Sequence, residues 1–438
     1  MNHATKVAVL GLDGVPFSLL QDFFAKGIMP RLAETAKSGT FLRMETSLPC
    51  ISSVAWTSFM TGKNPGDHGI FGFTDVWPDK LALRLPSFDD IRSTVIWNAL
   101  PGKTSVVVNL PFTYPARPLK GILISGFVAP LFERSVYPES MIAWLKSRNY
   151  RIDVDAVKGR QDRRFLVRDL FETLKIHSEV MLALMERENW DLFIGVITGT
   201  DRLHHFFFDA AQDPSHPLHK DFIDYYRMID SFFSRFVERC GKSARLIVLS
   251  DHGFTRLKTQ VYLNHILKTM GYISFVKSEP VSPEDIHPGS KAFAMDPSRI
   301  YLNSKERFSH GALNSKEAEM IRISLKKELE SLRLIDIGFL NPQGSDRPED
   351  RVFTRVLLKE DIFDGKCIAW APDLVVIPRS GYDPKGALNV RAATMTDIFT
   401  GMHTHDDAFL IVDDPDIGKR LSQPRITDVF GLMMEVLG

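Results

Sequence analysis

Short runs that are apolar at every position recur through the first part of the chain, between stretches whose apolar residues return every three or four positions. Leu192–Ile197 and Leu246–Leu249 are of the first kind, and Lys6–Leu10, Ser105–Asn109 and Gly121–Ser125 depart from it only at their end residues. A strand with one wet face alternates apolar and polar residues, whereas an unbroken aliphatic run is what a strand buried on both faces of a parallel sheet presents. Phe165, Leu166, Leu170, Phe171, Leu174, Met181, Leu184 and Met185 fall at helical spacing. So do Phe222, Tyr225, Ile229, Phe232, Phe233 and Phe236, with Gly241 placed to stop that helix. Strand and helix alternating over some 255 residues predict an α/β fold: a central, mainly parallel sheet sandwiched by helices.

Residues 256–400 break the alternation. They are richer in Pro, Gly, Ser and charge, with one lysine- and glutamate-rich helix, Ser315–Leu332, and short strands at Arg299–Leu302 and Asp373–Ile377. This stretch reads as a smaller insert or cap. The chain then returns to the main pattern with a strand at Ala408–Val412 and a helix at Thr427–Leu437. The expected division is therefore 1–255 with 401–438 as the core and 256–400 as a partly inserted substrate region.

Composition narrows the function classes. With Lys+Arg and Asp+Glu at 54 each, the chain offers no net basic charge for a nucleic-acid polymer. No apolar stretch is long enough for a membrane span, and six residues before the first strand leave no room for a secretory signal. Cys50, Cys240 and Cys367 show no disulfide or metal spacing. The expectation is a cytoplasmic protein with no membrane partner.

Chemistry gathers at the ends of the strands. Asp13 follows the first run, Asp201 and His205 follow 192–197, Asp251-His252 follow 246–249, and His403 and His405 precede 408–412. Singly, each has a bland reading: a turn residue, a helix cap, a surface imidazole. Adjacent Asp and His directly after four aliphatics are harder to explain without a bound group. Four such strand ends together point to a divalent cation centre, since carboxylate and imidazole suit zinc or manganese. Ligands in open α/β sheets also collect beyond the carboxyl ends of the strands. Ser52 and Ser53, ahead of the apolar helix start Val54-Ala55-Trp56, are either caps or a nucleophile placed where helix amides favour a phosphate.

Leu12-Asp13-Gly14, the Thr61–Gly69 segment TG-x-x-P-x-x-HG, Asp201-x-x-x-His205, Ser250-Asp251-His252-Gly253 and a late His403 stand in an order that resembles the alkaline phosphatase superfamily. The likeness is greatest to its type I phosphodiesterase/nucleotide pyrophosphatase branch. It implies two metal ions, zinc first and manganese second. One would be held by Asp13, Asp251, His252 and the nucleophile, the other by Asp201, His205 and His403. Counting nine residues back from Thr61 makes Ser52 the nucleophile, with Ser53 as runner-up. The same spacing prefers His205 to His204, and position after Gly401 prefers His403 to His405. The branch's asparagine three residues after the nucleophile is Ala55 here, and Val54 and Trp56 stand where sulfatases carry Pro and Arg, which argues against sulfatase activity. His68 is read as structural, and Asn109 and Pro111 as either substrate-side or turn residues. The implied activity is phosphoric-ester hydrolysis through a phosphoseryl intermediate, on a small diester or nucleotide-like substrate. A phosphomonoesterase, a phosphotransferase or phosphomutase with the same metals, and a non-catalytic metal-binding protein are the alternatives.

Overall fold

The computed structural model describes residues 5–77, 79–338, 350–390, 392–395 and 398–438. Its contacts divide the chain into two units, one of Met1–Lys63, Ser87–Thr255 and Ile398–Gly438, the other of Asn64–Pro86 and Arg256–Asp397.

The first unit is built on an eight-stranded sheet. Its order is Thr40–Met44, Ala408–Val412, Ala244–Leu249, Lys6–Leu12, Leu192–Ile197, Ser105–Leu110, Gly121–Ser125, Val136–Tyr137. The five strands from Ala244–Leu249 to Gly121–Ser125 are parallel, while Ala408–Val412 and Val136–Tyr137 run against them. Thr40–Met44 pairs antiparallel with Ala408–Val412 and so points the same way as the parallel set. Every position of Leu192–Ile197, Ser105–Leu110 and Ala408–Val412 is buried, including the polar Ser105 and Asn109. The residues sort by parity onto two faces. Ala8, Leu10, Val106 and Val248 pack with the helices Arg163–Arg187 and His219–Cys240. Val7, Val9, Val107 and Ile247 pack with Ser52–Thr61 and Asp428–Leu437. Each fully buried Val, Leu or Ile contributes about 1.5–3 kcal/mol, and this double core offsets the cost of the buried carboxylates at its edge. The first strand runs two residues further than its apolar run suggests, to Leu12, because Gly11 and Leu12 stay in register with Val196 and Ile197.

The second unit has its own core around Val261, Phe293, Ile300, Tyr301, Leu325 and Val376. A four-stranded antiparallel sheet orders Ala292–Met295, Arg299–Leu302, Leu374–Pro378 and Phe353–Leu358, with the helix Ser315–Ser331 contributing Leu325 and Leu329 to the core. Residues 64–86, which the sequence pattern leaves with the first unit, belong to this one. The buried Arg299 guanidinium donates to Thr74 O at 2.7 Å, and the Tyr301 hydroxyl donates to Asp75 Oδ1 at 3.2 Å. That tie spans some 225 positions of chain, beyond the reach of any local pattern.

No helix among the described residues is long and apolar enough to cross a membrane. Cys240 and Cys367 are buried and Cys50 is half-buried.

Candidate metal centre

The ligand-type residues of the first unit meet at one edge of the sheet, and the strand directions explain why. Asp13 directly follows Lys6–Leu12, and Asp251-His252 follow Ala244–Leu249 after one serine. Leu192–Ile197 leads into the helix Gly199–Gln212, where Asp201 and His205 stand four apart and therefore share a helix face. His403, on the short strand Gly401–Thr404, comes before its neighbouring sheet strand rather than after it. It reaches the same edge because Ala408–Val412 is antiparallel to the core strands, so its amino end lies at their carboxyl ends.

Two groups result. Asp201, His205 and His403 form one, and Asp13, Asp251 and His252 the other, with the ligand atoms of each group within 4.8 Å of one another. In the first, Asp201 Oδ1 lies 3.2 Å from His403 Nε2 and 3.4 Å from His205 Nε2, and the two ring nitrogens face each other at 3.0 Å. In the second, His252 Nε2 lies 3.5 Å from Asp251 Oδ2 and 3.8 Å from Asp13 Oδ1. Asp251 Oδ1 accepts the Gly14 N–H at 3.0 Å, while buried Oδ2 accepts no hydrogen bond from the described residues. Three donors converging on a point, one of them a buried carboxylate oxygen that accepts no hydrogen bond from the described residues, fit a divalent cation with oxygen and nitrogen ligands.

The electrostatics agree with that fit. Burial, reinforced by the Asp251 and Asp201 carboxylates, pushes Asp13 well above the usual carboxylate range. Burial and the Asp201 charge push Asp251 up to about 7 against the Gly14 hydrogen bond. Burial, then the nearby His403, keeps His252 neutral. Burial also works against an ionised Asp201, but His205, His403 and the Arg202 guanidinium outweigh it and hold that carboxyl well below the usual range. Carboxylates this close and this dry are stabilised by a cation between them.

Ser52 opens the helix Ser52–Thr61, whose cap residue is the extended Ile51, so neither serine is a side-chain cap. Ser52 Oγ stands 3.2 Å from His252 Nε2 and 3.4 Å from Asp13 Oδ1. Ser53 Oγ is buried and makes no hydrogen bond with the described residues. The TG-x-x-P-x-x-HG segment is a succession of helix stops and starts. Gly62 ends one helix at φ +64, Asn64 Oδ1 caps the next through Gly66 N at 2.8 Å, Pro65 takes its first position, and Gly69 closes it at φ +79.

The choice between adjacent histidines has a local cause. His204 Nδ1 contacts Gly14 O at 2.8 Å and its Nε2 contacts the Tyr226 hydroxyl at 2.7 Å, so both ring nitrogens are engaged within the fold. His405 is half-buried and joins neither group. Asn109 directs its amide N–H groups to Val196 O and Thr198 Oγ1, both at 3.1 Å, and so ties two strand ends together.

Trp56 is the site residue that sequence reasoning passed over. Its indole N–H donates to Asp13 Oδ2 at 3.0 Å, and its ring fills the space beside Gly11, where a Cβ would lie 2.5 Å from the indole. Its spacing of four from Ser52, hence one helix face, was the available signal. Arg202 was also missed: it pairs with Asp153 at 2.7 Å and lies 3.5 Å from Asp201 Oδ2.

Burial pushes His177 and His204 down to about 4 and His68 down to about 3, so all three are neutral in the folded protein. Unfolded, each takes up a proton near pH 6.5. Because the folded values are depressed, their contribution is fully present above about pH 6.5 and is lost as pH falls toward about 4. Urea unfolding of the metal-free protein is expected to lose up to about 1.4 kcal/mol per pH unit per histidine in that window. A flat profile between about pH 7 and pH 4.5 would contradict the assignment of neutral buried imidazoles.

Both groups thus stand where the parallel strands end, in a sheet with helices on both faces. The chain belongs to the type I phosphodiesterase/nucleotide pyrophosphatase family, which it matches over residues 7–405, and is thereby a phosphoester hydrolase. Its fold is similar to phosphonoacetate hydrolase from Sinorhizobium meliloti 1021 in complex with phosphonoacetate, at a TM-score of 0.66 and 14% identity over 100% of this chain and 97% of that one. It is also similar to murine ectonucleotide pyrophosphatase/phosphodiesterase 5, at 0.54 and 12% over 99% and 95%. The human form of that protein gives 0.53 and 14% over 99% and 94%. No curated protein matches the chain.

Proposed function

We propose that the chain is a two-metal phosphoric-ester hydrolase that acts through a phosphoseryl intermediate on Ser52, with a small phosphodiester or nucleotide-like substrate. The observation that carries this reading is the position of Ser52 Oγ, within 3.4 Å of ligand-type atoms of one cluster and at the start of a ten-residue helix. Asp13, Asp251 and His252 with Ser52 would hold one cation, and Asp201, His205 and His403 the other. Their oxygen and nitrogen donors favour zinc first and manganese second. Bound there, the cations would supply charge neutralisation and an ionised nucleophile at neutral pH.

Ser52 Oγ attacks phosphorus, forming the Oγ–P bond as the bond to the leaving oxygen breaks. Water then cleaves Oγ–P and regenerates the hydroxyl. Trp56 fixes the Asp13 carboxylate through Oδ2, which leaves Oδ1 on the Ser52 side. The backbone amides at the start of the helix favour the phosphoryl oxygens, in the region where relatives of this branch use the asparagine that is Ala55 here.

The test is kcat/KM for matched aryl diesters and monoesters on metal-loaded protein. The panel should include nucleotides and phosphonoacetate, because solved neighbours are described in complex with AMP and with phosphonoacetate. A diester preference of at least about tenfold, near 1.4 kcal/mol of transition-state binding, is expected. A monoester preference refutes the diester assignment. Transfer of phosphate to an added alcohol in place of water supports a phosphotransferase, and tight metal binding without turnover on any ester supports a non-catalytic role.

A further inference from the structure

We infer that Phe254 is a positioning residue for both ligand clusters, its ring fixing the orientation of their imidazoles. This rests on the two-metal reading above. Phe254 is buried, and its ring centroid lies 4.9 Å from those of His205 and His403 and 5.6 Å from that of His252. The first two imidazoles belong to one cluster and the third to the other, so a single ring backs both. The planes of His205 and His403 meet it at 81° and 68°, edge against face, and His204 packs on it at 5.0 Å and 67°.

The backbone is shaped around the same ring. A Cβ on Gly14, the residue after Asp13, would stand 2.7 Å from Phe254 Cε2, and one on Gly401, two before His403, would stand 3.0 Å from Cδ1. Gly14 also needs its glycine for φ +66, and Gly401 for the approach of His204 O. The ring nevertheless occupies the room that both openings leave. Phe254 sits on the strand Gly253–Arg256, which pairs with Gly401–Thr404, so wall and ligand are held by adjacent strands. A phenyl ring is a rigid plate with few rotamers, whereas an aliphatic side chain in its place leaves the imidazoles room to turn. A ligand that can turn away from the cation lowers affinity.

The test compares wild type, Phe254→Leu and Phe254→Tyr by Zn2+ titration against a competing chelator, with imidazole NMR line widths measured on the metal-free proteins. The Leu variant is expected to bind Zn2+ about 10–100-fold more weakly, the range for loss of residues that orient metal ligands. Its kcat should fall with KM little changed, its imidazole signals should broaden, and the Tyr variant should restore most of the affinity. A Leu variant with wild-type Zn2+ affinity and sharp imidazole signals overturns the proposal, even if it melts at a lower temperature. A wild-type protein that takes up no Zn2+ refutes the two-metal reading. Broadening in the Leu variant would then still support the orienting role, and sharp signals would remove it.

Discussion

Ser52→Ala is expected to abolish the phosphoenzyme trapped at low pH and to reduce turnover on the order of 10⁴-fold or more, as loss of a nucleophile does elsewhere. Ser53→Ala should do neither. Its hydroxyl is buried without a hydrogen-bond partner among the described residues, so removing it relieves an unsatisfied group and should leave stability within about 1 kcal/mol of wild type. A reading from sequence alone, with Ser53 as a helix cap, would have predicted a loss instead. Mass spectrometry of the trapped peptide decides the matter: phosphate on Ser53 would show that the count back from Thr61 is off by one.

Asp251→Asn should have opposite effects on the metal-free and metal-loaded proteins. Without a cation, burial and the neighbouring Asp201 charge push the Asp251 carboxyl up to about 7. A raised folded value means that stability is lost as pH rises from the usual carboxylate range through about 7, on the order of a few kcal/mol once the group is ionised. The amide keeps an oxygen for the Gly14 N–H and carries no charge, so near pH 8 the metal-free variant should melt above metal-free wild type. With divalent ions added the order should reverse, one ion per chain should be lost by elemental analysis, and activity should go with it. The same sign of change in both states would mean that no cation is held between these carboxylates.

The apolar runs of the sheet strands were legible because burial on both faces leaves no polar position to break them, and those runs also marked where Asp13, Asp201 and Asp251 emerge. The family resemblance preferred His205 to His204 for its spacing of four from Asp201, and the fold groups His205 with Asp201 and His403. The structure adds the reason, since His204 is held by Gly14 O and Tyr226.

What the sequence by itself determined is local: the strands, the helices, and which polar residues stand at their ends. Tertiary structure alone decided which of those ends meet. His403 precedes its strand and joins residues that follow theirs because Ala408–Val412 runs antiparallel. Trp56 reaches Asp13, Phe254 backs the imidazoles of both clusters, and Arg299 draws residues 74–75 into the second unit. Each of these depends on strand direction or on contacts across long stretches of chain, and hydrophobic periodicity reports only which side of an element is dry, not what lies against it.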